Sequence, residues 1–314
     1  MELRRLGDSD LRVSVVGLGC NNFGGRTDEA GTREVVAAAL EHGINFFDTA
    51  DVYGKTRSEQ FLGRALEGRR DKVVLATKFG IPLTDDKNHR GGSRAYVLSA
   101  AEASLKRLGT DYIDLYQMHF PDGNTPIDET LRALDDLVKQ GKVRYIGCSN
   151  FSESQIADAD RVARAARGAH FVTAQNHYSL IERHVEAEIV PRCVELGLSI
   201  LPYFPLGSGV LTGKYKRGEP PPQDSRLAHV GARAQAALND RNFNLVDALT
   251  GFAKARGHTL LELAFCWLAS KPAVASVIAG ATSVAQVAAN VNAGATWRLD
   301  ARELAALDAA VAGI

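Results

Sequence analysis

Short apolar runs alternate along this chain with longer segments in which apolar residues recur every three or four positions. Three of the runs, at Ile44–Asp48, Val73–Lys78 and Ile113–His119, are five to seven residues long, and each ends on a polar residue. Runs of this length predict buried β-strands, whereas the recurring pattern at 32–43 and 93–109 predicts amphipathic helices that end at glycines. The chain is therefore expected to alternate strands with helices.

The same pattern predicts further strands on either side of these three. A hairpin that turns at Gly7–Asp10 leads into a first strand of the series near Val13–Gly17. Later strands are expected within residues 143–151, 171–180, 198–207 and 274–280. Counted from Val13, the series has eight strands, each followed by a helix. The prediction is an α/β fold, a closed (β/α)8 TIM barrel with an N-terminal β-hairpin, formed by one domain over residues 1–314.

Two segments near the C-terminus extend this plan. Residues 208–233 are rich in glycine, proline and charge and predict a long loop with a functional role. Helices then resume at Asn244–Arg256 and Leu260–Ser270, and a tail helix follows, so extra C-terminal helices are expected. An open, doubly wound sheet is the alternative, but the glycines at 17–25 lack the spacing of the dinucleotide-binding fingerprint, which favours the barrel.

Composition excludes several classes of protein. The chain has 314 residues, 45% of them hydrophobic, and 37 basic residues balance 37 acidic ones, so no charge pattern for nucleic acid is expected. No apolar stretch is long enough for a bilayer, and the first residues lack a signal-peptide core, so we expect a cytoplasmic protein that binds no membrane. The four cysteines are scattered without metal-binding spacing, and no metal is expected.

Polar residues at or just after the ends of the three strands suggest a reaction centre. Asp48, Lys78 and His119 end their runs, and Tyr53 follows the first of them closely. The carboxyl ends of barrel strands meet at one mouth, so these residues are expected to converge there. A phenol beside an ammonium is a usable acid, a carboxylate can anchor the ammonium, and an imidazole can hydrogen-bond a carbonyl oxygen. Singly, each has an ordinary explanation as a cap, a rim lysine, a core histidine or a packing aromatic.

Four longer motifs, at residues 43–66, 76–80, 104–119 and 141–151, resemble the aldo-keto reductases, and the similarity extends over nearly the whole chain. The resemblance implies a (β/α)8 barrel and an NADPH-dependent carbonyl reductase. Its catalytic tetrad corresponds to Asp48, Tyr53, Lys78 and His119. The branch that it suggests includes bacterial aldo/keto reductases and potassium-channel β subunits.

The resemblance also implies where NADP(H) is held. Ser149, Asn150 and Gln175 match the residues that bind the carboxamide, and Tyr203 matches the aromatic that stacks on the nicotinamide. Lys214 and Arg226 match cations that bind the 2′-phosphate in the channel-like branch. The remaining expected cofactor contacts are Gly19, Cys20, Asn21, Asp48, Phe204, Pro205, Leu206, Gly207, Gly280, Thr282, Ser283, Gln286 and Asn290.

Substrate, direction and assembly stay open at this level. Phe23, Phe79 and Phe120 are expected to line the substrate pocket and favour an apolar or ring-bearing carbonyl compound, while Asn21, Asn88 and Arg90 could bind hydroxyls or an acid. The same site could oxidise a sugar or alcohol with NADP⁺. A redox-sensing module with tightly held cofactor, like the channel β subunits, is the alternative function. We expect a small-molecule substrate and a monomer or weak homo-oligomer.

Overall fold

The computed structural model describes residues 1–83, 90–229 and 231–314; the predicted substrate contact Asn88 therefore lies outside the described residues. Eight parallel strands form a nearly closed barrel surrounded by helices, which confirms the predicted TIM barrel. A two-stranded antiparallel hairpin, β1 (Leu3–Arg5) and β2 (Arg12–Ser14), precedes it. The barrel strands are β3 (Val16–Gly19), β4 (Phe46–Asp48), β5 (Val74–Phe79), β6 (Ile113–Met118), β7 (Val143–Ser149), β8 (Phe171–His177), β9 (Ser199–Tyr203) and β10 (Val277–Gly280).

The hairpin occupies residues that the sequence had assigned in part to the first barrel strand. Val13 pairs with Arg4 in the hairpin, and the barrel strand begins only at Val16. The prediction of a strand near Val13–Gly17 was wrong at its start, because Val13 is apolar for a different reason. Together with Leu6 and Leu11, it packs against the inward-facing residues of the barrel from below.

The barrel closes along a short seam. Strand β10 pairs with β3 over four residues, but β9 meets the other edge through a single bridge between Ile200 and Val274. Two backbone hydrogen bonds support that bridge, from Ile200 N–H to the carbonyl of Ala273 at 2.7 Å and from Ala275 N–H to the carbonyl of Ile200 at 3.3 Å.

The helices cover the outside of the barrel. Their bounds are α1 (Glu29–Glu41), α2 (Arg57–Ala65), α3 (Arg94–Leu108), α4 (Ile127–Lys139), α5 (Glu153–Ala166), α6 (Ile189–Leu196), α7 (Ala232–Ala237), α8 (Asp240–Lys254), α9 (Leu260–Ala269), α10 (Val284–Ala295) and α11 (Ala301–Val311). Helices α7, α8 and α11 are additional to the eight that alternate with the strands, and α8 packs against α11. The segment predicted as a loop contains 3-10 turns at Gly207–Thr212 and Arg226–His229 and the start of α7.

Alternate strand residues face inward and outward. Phe46, Val74 and Leu115 belong to the inner cluster of apolar side chains, whereas their neighbours Phe47 and Leu75 belong to the cluster between the sheet and the helices. This alternation has a direct consequence, because side chains two residues apart share a face of the sheet. The inner face that begins with apolar residues at the bottom of the barrel ends with polar residues at its top.

Candidate active site

The inner face of three neighbouring strands brings polar side chains together at the top of the barrel. Asp48 lies two residues beyond Phe46, Lys78 four beyond Val74, and Gln117 two beyond Leu115, so all three have the inward parity. Strand pairing aligns them, since Asp48 is opposite Ala76 and Lys78 is opposite Gln117.

Asp48 and Lys78 form a buried ion pair. The Lys78 Nζ is 2.6 Å from Asp48 Oδ2 and also donates to the Thr49 carbonyl at 2.9 Å. The other carboxylate oxygen, Oδ1, accepts from Gln117 Nε2 at 3.1 Å and from Gln175 Nε2 at 3.0 Å. Both oxygens of the buried carboxylate are therefore satisfied, which is the condition for keeping such a charge in the interior.

Tyr53 lies on the segment that joins β4 to α2. Hydrogen bonds hold both ends of this segment. The hydroxyls of Thr49 and Ser58 are 2.8 Å apart, and the Ser58 hydroxyl is also within 2.9 Å of the Cys20 carbonyl oxygen. The Lys78 Nζ lies 5.1 Å from the centroid of the Tyr53 ring. The ammonium is thus fixed by Asp48 on one side and faces the phenol on the other.

Electrostatics around the phenol differ from the simple expectation. Burial raises the pKa of Tyr53, and the positive charge of Lys78 opposes that rise without cancelling it. For Lys78, burial alone would lower the pKa, but the charge of Asp48, that of Tyr53 when ionised, and hydrogen bonds with both outweigh it, so the pKa is raised. Tyr53 therefore retains its proton and Lys78 its charge at neutral pH, which is the arrangement that a proton donor needs.

His119 completes the group. Its ring meets that of Tyr53 edge to face, with centroids 5.7 Å apart. Burial, followed by the charge of Lys78, lowers the pKa of His119 to about 3, so the imidazole is neutral at physiological pH. Its Nδ1 is buried and has no partner among the described residues. A neutral imidazole donates through one ring nitrogen, so His119 can hydrogen-bond an oxygen in the cavity that it lines.

One large cavity, with a volume of about 790 Å³, opens above these residues. Of the four residues predicted to be catalytic, Asp48, Tyr53 and His119 line it, and Lys78 lies just behind them. The predicted cofactor contacts that line it are Gly19, Cys20, Asn21, Asp48, Ser149, Asn150, Gln175, Tyr203, Phe204, Pro205, Leu206, Lys214, Arg226, Gly280, Gln286 and Asn290. The cavity is within the range of ligand sites and extends well beyond the reaction centre.

The wall formed by the ends of β7 and β9 is held by side-chain contacts. Asn150 donates from Nδ2 to the backbone carbonyl of His119 at 2.9 Å and accepts from the Tyr203 hydroxyl at 2.7 Å through Oδ1. Tyr203 in turn stacks on His177, with ring centroids 5.4 Å apart and planes 9° from parallel. These contacts fix the ring of Tyr203 beside the cavity.

Three cations, Arg26, Lys214 and Arg226, also line the cavity. The guanidinium of Arg226 lies 4.8 Å from the centroid of the Phe204 ring, and that of Arg26 donates to the backbone carbonyl of Asp224 at 2.5 Å. Burial, then the charge of Arg26, lowers the pKa of both Lys214 and Arg226. The charge of Arg26 thus acts on both of the other cations, and the three together create a region of positive potential suited to an anion.

Three predicted cofactor residues do not line the cavity. Gly207 has a φ of +53°, which favours glycine, and a Cβ there would lie 2.8 Å from the end of the Ile181 side chain, which would have to shift. Thr282 donates to Gln286 Oε1 through its backbone and its hydroxyl. Ser283 caps α10 by accepting from the Gln286 backbone at 3.3 Å.

Two of the three phenylalanines expected at the substrate belong to the core instead. Phe79 is wholly buried and stacks on Tyr116, with ring centroids 4.7 Å apart, because it follows the inward Lys78 and so faces outward. Phe23 is also wholly buried and is absent from the cavity wall. Phe120 is 49% exposed, lines the cavity and stacks on His119 at 5.6 Å. Arg90 does not line the cavity.

Gln117 and Arg26 are among the residues of the site that the sequence analysis did not predict. Gln117 holds the second oxygen of Asp48, and its position two residues before His119 on the same strand would have indicated the shared face. Arg26 joins Lys214 and Arg226, but it lies in a turn far from them along the chain, and no local pattern marks it. Among the described residues, no cluster of three potential metal ligands occurs, and no helix is long and apolar enough to cross a membrane.

Comparison with known proteins agrees with this architecture. The model of the Aldo/keto reductase family matches residues 15–312. The chain therefore belongs to the aldo/keto reductase family of oxidoreductases, as the sequence motifs predicted.

Its relatives carry several kinds of name. A probable voltage-gated potassium channel subunit beta of Arabidopsis thaliana is 38% identical and aligns with 93% of this chain and 91% of its own length. A probable aldo-keto reductase 1 of Glycine max is 39% identical, covering 92% of this chain and 83% of its own. The uncharacterized oxidoreductase YrpG of Bacillus subtilis is 37% identical, covering 93% and 91%.

Proposed function

We propose that this protein is an NADP(H)-dependent oxidoreductase that reduces aldehydes or ketones to alcohols, with Tyr53 as the general acid. The observation that carries the proposal is the Asp48–Lys78 ion pair, whose ammonium faces the Tyr53 ring at 5.1 Å beneath the large cavity. A cation fixed beside a protonated phenol stabilises the phenolate that forms when the proton leaves, which makes the phenol a better proton donor.

The cavity fits a dinucleotide in its chemistry. It joins the reaction centre to the three cations Arg26, Lys214 and Arg226 and has a volume of about 790 Å³. Its floor includes Gly280, where a Cβ would lie 3.0 Å from Asn22 Nδ2, so a larger residue would crowd that wall. NADPH, when bound, would supply the hydride. Ser149, Asn150, Gln175 and Tyr203 would hold its nicotinamide end.

Each residue of the centre then has a defined task. His119, neutral at physiological pH, donates a hydrogen bond to the carbonyl oxygen of the substrate and orients it. Tyr53 gives its proton to the same oxygen as negative charge develops there. Lys78 stabilises the phenolate that remains, and Asp48 keeps Lys78 in position with help from Gln117. Because the Tyr53 and His119 rings meet edge to face, both residues would act on the same substrate oxygen.

Preference for the phosphorylated cofactor follows from charge. Lys214 and Arg226 line the cavity and carry positive charge in a partly buried setting, where a phosphate contact is strengthened. On the substrate side, Phe120 and Val52 offer an apolar wall next to His119. We therefore propose small apolar or aromatic aldehydes as the first substrates to test.

The decisive experiment replaces Tyr53 with Phe. Proton donation is removed while the ring stays, so kcat for aldehyde reduction should fall by roughly two to four powers of ten, and NADPH binding should stay close to that of the wild type. The measurements are NADPH absorbance during turnover and NADPH fluorescence on binding. Tyr145→Phe is the matched control, since Tyr145 bonds Asp10 at the hairpin. Undiminished kcat in Tyr53→Phe would remove Tyr53 from the role of acid.

Two other candidate functions would depend on the same site. The channel-subunit names of two relatives favour, as the second candidate, a regulatory module that binds cofactor tightly and turns over slowly. A dehydrogenase that oxidises an alcohol or sugar is the third. Cofactor that co-purifies and survives dilution would favour the module, whereas fast exchange and turnover with a panel of carbonyls would favour the enzyme. We further propose a cytoplasmic protein, in keeping with its four free, buried cysteines, that acts as a monomer or weak homo-oligomer.

A further inference from the structure

A second buried carboxyl lies behind the reaction centre, two residues before Tyr53. Asp51 is wholly buried. Its backbone N–H donates to the carbonyl of Lys78 at 3.2 Å, which links the β4–α2 segment to the end of strand β5. The Tyr96 hydroxyl donates to Oδ2 at 3.5 Å, and Oδ1 has no partner among the described residues; the Val52 backbone N–H and the charge of Arg107 favour the ionised form only weakly against burial. The carboxyl is thus buried with little to stabilise a charge on it.

The surroundings of Asp51 disfavour its ionised form. The charged and titratable groups that act on it are Glu59 of α2, Tyr96 and Arg107 of α3, and Tyr116 of β6. Glu59 already accepts from Arg107 Nε at 2.6 Å and from the Thr77 hydroxyl at 2.6 Å, so the nearby cation is engaged. Burial, and then the charge of Glu59, raises the pKa of Asp51 to about 7.

The segment that follows Asp51 needs to be held. Gly54, Lys55 and Thr56 are consecutive residues in the left-handed region, with φ of 58°, 56° and 72°. Two of them carry side chains, for which that region is unfavourable, so contacts at the ends of the segment must maintain its shape. Gly54 also leaves no room, because a Cβ would lie 2.4 Å from the carbonyl oxygen of Phe23. Tyr53 lies between this strained turn and Asp51.

We propose that Asp51 is a positioning residue whose protonated carboxyl stays in the pocket behind β5 and holds Tyr53 against Lys78, and whose ionisation releases Tyr53. Once charged, the carboxylate would lie beside Glu59 with its cation already engaged, and it would move towards water together with its segment. The proposal rests on the proposed reduction, in which Tyr53 is the acid.

His119, Tyr53 and Lys78 do not change their protonation states near pH 7. His119 has a pKa of about 3, and the pKa values of Tyr53 and Lys78 are raised above their ordinary values, which already lie near 10. A change of rate close to pH 7 would therefore report on Asp51 and not on the proton donor itself.

The test compares pH profiles of kcat for the wild type, Asp51→Asn and Asp51→Ala. Wild-type kcat should fall above about pH 7. At higher pH it should fall roughly tenfold for each pH unit, because the protonated fraction of Asp51 falls at that rate. Asp51→Asn mimics the neutral carboxyl and should keep its rate there, whereas Asp51→Ala should lose kcat at every pH with little change in the KM for NADPH. Asp114→Asn is the control. Asp114 is also buried, but it is paired with Arg70 and lies near the start of β6, whereas the reaction centre lies beyond the end of that strand. This variant should keep the wild-type pH profile of kcat.

A second measurement does not depend on turnover. Fluorotyrosine is incorporated, and the fluorine NMR signal of Tyr53 is assigned by its loss in Tyr53→Phe. In the wild type this signal should shift with a midpoint near pH 7, and in Asp51→Asn it should not. A wild-type signal that is constant across that range, or an Asp51→Asn profile equal to the wild type, overturns the positioning role. A shift that is present in a protein that reduces no carbonyl would refute the proposed function and leave the coupling of Asp51 to Tyr53 standing.

Discussion

Replacing Lys78 with Met tests the reaction centre most directly. The substitution removes the ammonium but keeps an unbranched apolar stem in a wholly buried position. At 5.1 Å, and with an effective dielectric constant of about 20, the interaction of the Lys78 charge with a phenolate at Tyr53 is about 3 kcal/mol. If all of it is expressed as the proton leaves, kcat should fall by about two powers of ten, since each tenfold step corresponds to about 1.4 kcal/mol. The pKa of Tyr53 should rise further.

Stability should respond as well. Asp48 would remain buried without its cation, although Gln117 and Gln175 would still donate to Oδ1. Breaking a buried pair by removing one partner costs about 3–5 kcal/mol. Asp48→Asn should also lose stability, but kcat should fall less than in Lys78→Met, because the ammonium of Lys78 remains.

The assay must separate these two effects. Urea unfolding, NADPH binding and a pH profile of kcat are measured on Lys78→Met, Asp48→Asn and the control Asp114→Asn. We expect Asp114→Asn to lose stability only, and Lys78→Met to lose rate beyond what its folded fraction explains. A folded, cofactor-binding Lys78→Met with the wild-type rate and pH dependence would refute the relay, and activity that tracks the folded fraction alone would make the pair purely structural.

Two further predictions concern the charges around the site. The double variant Lys214→Ala, Arg226→Ala should raise the KM for NADPH far more than the KM for NADH, because each lost phosphate contact is worth about 1.5–3 kcal/mol of binding free energy. Lys216→Ala is the control. Equal changes in both KM values would contradict a phosphate role. Since the pKa of Asp51 is raised to about 7, its contribution to folding is full below about pH 4 and is lost as pH rises to about 7 and beyond. The free energy of unfolding of the wild type should thus fall by about 4 kcal/mol relative to Asp51→Asn over that range, and parallel curves from chemical denaturation would refute the assignment.

Strand parity explains both what the sequence predicted and what it did not. Asp48, Lys78 and His119 were found because apolar runs end on them and parallel strands share one mouth. The same rule, applied one residue further, would have turned Phe79 outward, where it stacks on Tyr116. Pocket residues were instead chosen for being aromatic, and that criterion ignores which face a side chain takes.

Other features depend on contacts that no local pattern encodes. Burial outweighs Lys78 in setting the pKa of Tyr53, and the depth of burial is a property of the closed barrel. Arg26 reaches the cations at Lys214 and Arg226 only because the chain folds back between β3 and the segment after β9. That segment looked structureless because its 3-10 turns and α7 are too short to show a helical period.

The short seam between β9 and β10 is a place where we expect the barrel to open locally. One bridge at Ile200 holds it, so local opening should need less free energy there than between strands paired over four or more residues. The strands on either side end at Tyr203 and Gly280, which both line the cavity, whereas Asp48 and Lys78 lie on β4 and β5, which are separated from the seam by β10 and β3. Opening at this seam would thus widen the cavity at Tyr203 and Gly280 while the pairing of β4 with β5, which carries the ion pair, stays in place.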